Sequence, residues 1–132
     1  MAIQPTLRRL LVIEDDPDQS RALRDRLELY GYAVSCAEDG SAAMEMLQKN
    51  SFHGVLLDLN LPKMSGDQVF LRARQTYPDL PVLIMSASQT RIRAAKASNA
   101  GACGYISKPF GIKELKQALH SCFGPAEQPI AS

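Results

Sequence analysis

Six polar side chains stand at or just past the ends of short apolar runs in this sequence. Glu14, Asp15 and Asp16 follow the run at 10–13. Asp58 follows Val55, Leu56 and Leu57, Ser86 follows the run at 82–85, and Lys108 follows the segment 103–106. Carboxylates gathered in one cleft repel each other unless a cation sits among them. Carboxylate and carbonyl oxygens without His or Cys suit Mg²⁺. Lys108 adds one fixed positive charge. Acids, one hydroxyl and one lysine make a poor site for a bare anion. With Mg²⁺ they make a good site for a phosphoryl group: metal and lysine neutralise its oxygens while a carboxylate attacks phosphorus.

That chemistry requires the six residues to share one rim, so the elements carrying them matter. Residues 10–13 are apolar throughout, as a strand buried on both faces should be. Asp16-Pro17 reads as an N-cap followed by proline at the first helical position. Leu23, Leu27 and Tyr30 recur at helical spacing, and Gly31 stops that helix. Residues 32–36 form a less apolar strand, placed near an edge. A second helix spans 39–50, with Ala42, Ala43, Met46 and Leu47 on its buried stripe. Residues 55–57 make the third strand. Ser65 caps a third helix that runs to Tyr77, and a proline loop leads into the fourth strand at 82–85. The fourth helix is predicted over 88–100, closed by Gly101, and the fifth strand over 103–106. Ile112, Leu115, Leu119 and Cys122 put one apolar face on the last helix.

Alternation of this kind is α/β. The reading is a (βα)5 flavodoxin-like, doubly wound parallel five-stranded sheet of order 2-1-3-4-5, with right-handed crossovers. Ligands bind such sheets at the carboxyl ends of the strands, where all six residues fall. The expected domain is 8–123, with 1–7 as an N-terminal extension and 124–132 as a flexible C-terminal tail or linker.

A chain of 132 residues fits one domain and can bury enough surface to fold without a staple. Fifteen basic and fourteen acidic side chains give a net charge of +1, so no overall field for nucleic acid or a membrane is expected. No apolar run exceeds four residues, which excludes a transmembrane span and a signal-peptide core after Met1. Cys36, Cys103 and Cys122 form no CxxC pair. Their odd number and irregular spacing predict reduced, buried structural thiols and a cytoplasmic compartment.

Four segments, in order, resemble a response-regulator receiver domain of the chemotaxis-receiver type. They are Leu-Val-Ile-Glu-Asp-Asp-Pro at 11–17, Leu-Leu-Asp-Leu-Asn-Leu-Pro-Lys-Met-Ser-Gly at 56–66, Met-Ser-Ala at 85–87 and Gly-Tyr-Ile-Ser-Lys-Pro-Phe at 104–110. The resemblance extends over residues 8–123. It implies that Asp58 accepts a phosphoryl group from a phosphohistidine of a sensor histidine kinase or a histidine phosphotransfer protein. It implies Mg²⁺ held by Asp15 directly, by Glu14 through water, by Asp58 and by the backbone carbonyl of Asn60. Ser86 and Ala87 take the phosphoryl-binding positions, Lys108 pairs with the same group, and Tyr105 takes the aromatic switch position. The Lys108–Pro109 bond is the one usually cis in this family.

Taken singly, several of these residues have plainer roles. Asp16 reads as an N-cap rather than a ligand. Ser86 alone could end a strand, Lys108 alone could be solvated, and Tyr105 alone could be core. His53 opens the third strand at the far end, and His120 sits in the last helix turns, so neither is expected to act as a base. A Mg²⁺-dependent aspartyl-phosphate phosphatase of the haloacid-dehalogenase type is the enzymatic alternative. That class needs an acid two residues after the nucleophile, where this chain has Asn60. A nucleotide or flavin module needs a glycine-rich cradle after the first strand, where this chain is acidic.

The expected activity is therefore a phosphorylation-dependent switch that catalyses only its own phosphoryl transfer and slow autodephosphorylation. Its output is open between a stand-alone receiver and the amino-terminal receiver of a longer, DNA-binding transcriptional regulator. Charge suggests where a partner docks. Residues 1–87 carry nine basic and twelve acidic side chains, whereas 88–122 carry Arg91, Arg93, Lys96, Lys108, Lys113 and Lys116 against Glu114. The face built by the fourth helix, fifth strand and fifth helix is thus expected to meet an acidic target protein or a second copy.

Overall fold

The computed structural model describes residues 7–62, 64–97 and 101–124. Ten elements alternate along the chain: β1 (Arg9–Ile13), α1 (Pro17–Leu29), β2 (Ala33–Ala37), α2 (Gly40–Lys49), β3 (Gly54–Asp58), α3 (Gly66–Thr76), β4 (Val82–Ser86), α4 (Gln89–Ala97), β5 (Gly104–Ser107) and α5 (Ile112–Phe123). The five strands form one sheet of order β2-β1-β3-β4-β5, and every pairing is parallel. This is the expected doubly wound arrangement. Parallel neighbours force each connection to cross the sheet, and the helices it contains cover both faces.

Burial explains why the central strands read as continuous apolar runs. β3 and β4 are buried at every position, and β1 at all but its first. Alternate residues feed two cores. Leu11, Ile13, Val55, Leu57, Val82 and Ile84 pack on one face against α2, α3 and α4, while Leu10, Val12, Leu56, Leu83, Met85 and Ile106 face α1 and α5. β2 is half-buried over most of its length and lies at an edge, as its weaker apolar character predicts.

Several boundaries and faces differ from expectation. Asp39 and Asn50 are the caps of α2 rather than its first and last turns. Ser88 caps α4, its hydroxyl accepting from the Arg91 N–H at 3.1 Å; residues 98–100 of the predicted helix lie outside the described residues. The α5 face is also rotated. Ile112 is 52% exposed, and Phe123 joins Leu115 and Leu119 in the core. A Cβ on Gly54 would lie 2.2 Å from the Phe123 ring, so the bare glycine of β3 is what lets that ring lie on the sheet. Burying such a ring contributes roughly 1.5–3 kcal/mol, enough to decide which side of α5 turns inward.

The cysteine expectation is also corrected. Cys103 and Cys122 are joined in a disulfide with Cα atoms 5.1 Å apart, and all three cysteines are half-buried rather than buried. Among the described residues Cys36 is the free thiol. The physical reason is that α5 packs alongside β5, so the residue leading into β5 meets the last turn of α5. No spacing rule reports that contact.

Candidate functional site

Strand register brings the site together. Ile13 pairs with Leu57, so Glu14 and Asp58 leave the sheet side by side. Asp58 in turn pairs with Met85, and Ser86 with Ser107. Lys108 continues the ladder, its N–H donating to the Ser86 carbonyl at 2.8 Å, and the Lys108–Pro109 bond is cis as the resemblance implied. The loop after β3 is fixed by Asn60, whose N–H donates to Asp58 Oδ1 at 2.8 Å. Gly66 allows α3 to start against that loop. A Cβ there would stand 2.4 Å from Leu59 Cα and 2.7 Å from the Asp58 carbonyl oxygen.

Glu14 and Asp58 are 3% and 4% exposed, so their charges are costly unless paired. The Lys108 ammonium supplies the pairing. It donates to Asp58 Oδ2 at 2.7 Å, to Gln19 Oε1 at 2.8 Å, and to Glu14 Oε1. These three acceptors match its three donors. Burial raises the Glu14 pKa, and the neighbouring Asp58 charge pushes the same way against the pull of Lys108. Burial opposes the Lys108 charge, yet the hydrogen bonds it donates to Asp58 and Glu14 hold its pKa above the ordinary value.

Carboxylate oxygens of Glu14, Asp15 and Asp58 all lie within 4.8 Å of one another. Three carboxylates against one ammonium leave an excess of negative charge. A divalent cation with hard oxygen ligands fits that donor set. The acids open onto a cleft of about 540 Å³, also lined by Asn60, Ala87 and Lys108. A larger cleft, about 610 Å³, lies at the opposite end of the sheet and includes His53. There His53 Nδ1 accepts from the Arg9 N–H at 2.8 Å, a structural role.

The structure thus gathers Glu14, Asp15, Asp58, Asn60, Ala87 and Lys108. Ser86 lies at the same strand ends, fully buried, its Oγ accepting from the Ser88 N–H at 3.0 Å. Asp16 is the N-cap of α1, accepting from the Asp18 and Gln19 N–H groups at 2.9 and 3.3 Å. Tyr105 does not line the cleft. It packs half-buried beside the first core, with the Lys96 ammonium 5.7 Å from its ring centre.

Two site neighbours escaped sequence reasoning. Gln19 is the third acceptor for Lys108. Its only signal is a place in the first turn of a helix that starts on the rim. Charge counting places Arg91 on the outer basic face, and the structure corrects this. Its guanidinium donates to Asn60 Oδ1 at 2.9 Å and to Asp67 Oδ2 at 3.1 Å. Lys116 also leaves that face, lying 5.1 Å from the Tyr30 ring centre next to α1. Long side chains follow their nearest acceptor, which charge counting does not locate.

Comparison with known proteins agrees with this geometry. The family model for the response regulator receiver domain matches residues 10–120. Response regulator MprA of Mycobacterium sp. (strain KMS) is 36% identical over 124 residues, covering 92% of this chain and 54% of that protein. MprA of Mycobacterium ulcerans is 36% identical over 107 residues, covering 81% of this chain and 46% of its own length. The chain therefore spans about half the length of these curated relatives. Among solved structures, Vibrio cholerae chemotaxis protein CheY4 superposes with a TM-score of 0.81 at 25% identity, covering 89% of this chain and 99% of that one. Response regulator TrrA of Thermotoga maritima, solved in complex with Mg(2+)-BeF, gives 0.79 at 29% identity, covering 86% and 96%. The non-phosphorylated HemR receiver domain of Leptospira biflexa gives 0.76 at 32% identity, covering 94% and 99%. Fold, matched span and relatives together make this chain a member of the response regulator receiver domain family of two-component signalling.

Proposed function

We propose that Asp58 is the phosphoryl acceptor of this receiver and that the domain is a switch rather than a turnover enzyme. The observation that carries the reading is the bonding of Lys108 to both Asp58 and Glu14 beside a third carboxylate, Asp15. A carboxylate oxygen of Asp58 bonds to phosphorus as the P–N bond of a phosphohistidine breaks, and the imidazole leaves on the donor protein. Asp15 and Asp58 would hold Mg²⁺ directly, Glu14 through water, and Asn60 through its backbone carbonyl. The metal supplies charge neutralisation at the phosphoryl oxygens. Lys108 supplies the fixed cation, and Ser86 with the Ala87 backbone receives the transferred group. The complex of the similar Thermotoga receiver with Mg(2+)-BeF supports the metal assignment.

The donor is a sensor histidine kinase or histidine phosphotransfer protein. The output runs through Tyr105 and the α4-β5-α5 surface to a downstream protein or to a phosphorylation-linked dimer. α4 is suited to respond, because Ile92 and Ala95 are the residues it buries. The domain itself contacts neither nucleic acid nor membrane, and it works in the cytoplasm as part of a histidine-kinase relay; with Cys103 and Cys122 joined in a disulfide, reduced thiols no longer support that compartment. Among the described residues no helix is long and apolar enough to cross a membrane. The second reading is a receiver at the amino end of a longer DNA-binding regulator, favoured by the half-length coverage of the MprA relatives.

The test is uptake of phosphate from acetyl phosphate, read by intact mass. Wild type should gain one phosphoryl group in Mg²⁺ and none in chelator, and Asp58→Asn should gain none while keeping its fold. Undiminished labelling of Asp58→Asn overturns the assignment.

A further inference from the structure

Arg91 stands in the first turn of α4, yet its side chain belongs to the loop after β3. One guanidinium nitrogen holds Asn60 Oδ1 at 2.9 Å and the other holds Asp67 Oδ2 at 3.1 Å. Asn60 is therefore fixed at both ends, its N–H by Asp58 Oδ1 at 2.8 Å and its side chain by Arg91. The Arg91 backbone is anchored in turn. Its N–H donates to Ser88 Oγ at 3.1 Å, and the Ser88 N–H donates to Ser86 Oγ at 3.0 Å. A continuous path thus runs from Asp58 through Asn60, Arg91 and Ser88 to Ser86, along the α4 side of the cleft that Asn60 lines. Such a grip needs a planar fork. A guanidinium holds two acceptors in fixed directions, whereas an ammonium on a flexible stem does not.

We propose that Arg91 is a positioning residue that holds the Asn60 side chain across the cleft mouth and so sets the lifetime of phosphorylated Asp58. The inference rests on the phosphoryl-acceptor reading above. In hydrolysis a water oxygen bonds to phosphorus as the bond from phosphorus to the Asp58 oxygen breaks. The carboxylate is regenerated, and inorganic phosphate departs with the protons of the water. Attack in line with the breaking bond comes from the side opposite Asp58, which is the open mouth lined by Asn60. A restrained Asn60 limits the water that reaches that line, and a loose one admits it.

The experiment phosphorylates the full chain with acetyl phosphate and Mg²⁺, removes the donor, and follows decay by intact mass. Arg91→Ala should decay roughly threefold to fivefold faster, the most a part-exposed ion pair delivers. Arg91→Lys, which keeps the charge but not the fork, should fall nearer to Arg91→Ala than to wild type. Asp67→Asn should shift decay the same way by a smaller factor, and it decides the matter if Arg91→Ala fails to fold. The specific readout is coupling: on an Asn60→Ala background, Arg91→Ala should add nothing. Unchanged or slower decay in Arg91→Ala, or effects of Arg91 and Asn60 that multiply independently, overturns the inference. Failure of wild type to take up phosphate would instead overturn the acceptor assignment.

Discussion

Lys108 donates to Asp58 Oδ2 at 2.7 Å although the two residues are fifty apart in sequence and their strands are separated by β4. Strands lie about 4.8 Å apart, so the two side chains together bridge roughly 10 Å of sheet edge. A long, unbranched cation at the end of β5 is what makes this possible. The same ammonium balances Glu14, so it opposes the acids that would draw a divalent metal. Lys108→Met should therefore separate two readouts. Phosphoryl uptake should fall by at least about tenfold, while Mg²⁺ binding, followed by titration, should be as tight or tighter. Loss of both together would mean that the lysine mainly holds the cleft in shape.

The acidic residues of the first loop have different tasks. Asp15→Ala should weaken divalent binding more than Asp16→Ala, because the Asp16 carboxylate is already committed to the α1 N-terminus. Asp16→Ala should instead cost about 1 kcal/mol of stability, as loss of an N-cap does. Equal losses in a metal titration would show that the acidic pair is misassigned.

Asn60 bonds to Asp58 and Ser88 to Ser86, and neither is a strong base, so decay of the phosphorylated protein should be slow compared with a true phosphatase. Replacing both with bulky apolar residues should change the decay rate measured after donor removal. An unchanged rate would exclude them as the residues that admit or exclude water.

Gly66→Ala should destabilise the domain by about 1–3 kcal/mol, the usual cost of forcing an atom into a packed site. The added Cβ meets backbone at Leu59 and Asp58, which cannot swing aside as a side-chain tip can. Urea unfolding would measure the loss, and uptake from acetyl phosphate should fall with it because Asp58 is displaced. Wild-type stability in the variant would mean that α3 can shift without cost.

The outer basic face is smaller than charge counting suggests, because Arg91 and Lys116 turn away from it. Arg93, Lys96 and Lys113 are its remaining exposed basic side chains, and Lys96 touches the Tyr105 ring. Arg93→Glu with Lys96→Glu should remove phosphorylation-dependent binding or self-association. That binding should weaken with salt, since exposed charges are screened over about 8 Å at physiological ionic strength. Survival of both the binding and its salt slope would place the partner surface elsewhere.

The acidic cleft was legible in the sequence because parallel strands buried on both faces read as apolar runs, and every crossover returns the next strand in the same direction. Polar residues at or just past the end of each run therefore fall on one rim, which places Glu14, Asp15, Asp58, Ser86 and Lys108 together without coordinates. Cap chemistry at Asp16 and Ser65 was equally local, since each cap bonds within its own first turn. Tertiary structure alone decided contacts between elements distant in sequence: the joining of Cys103 to Cys122, the turning of Phe123 rather than Ile112 into the core, and the reach of Gln19 and Arg91 into the site. Periodicity reports which face of a helix is apolar. Where a long polar side chain ends depends on the nearest acceptor in space, and that acceptor lies on another element.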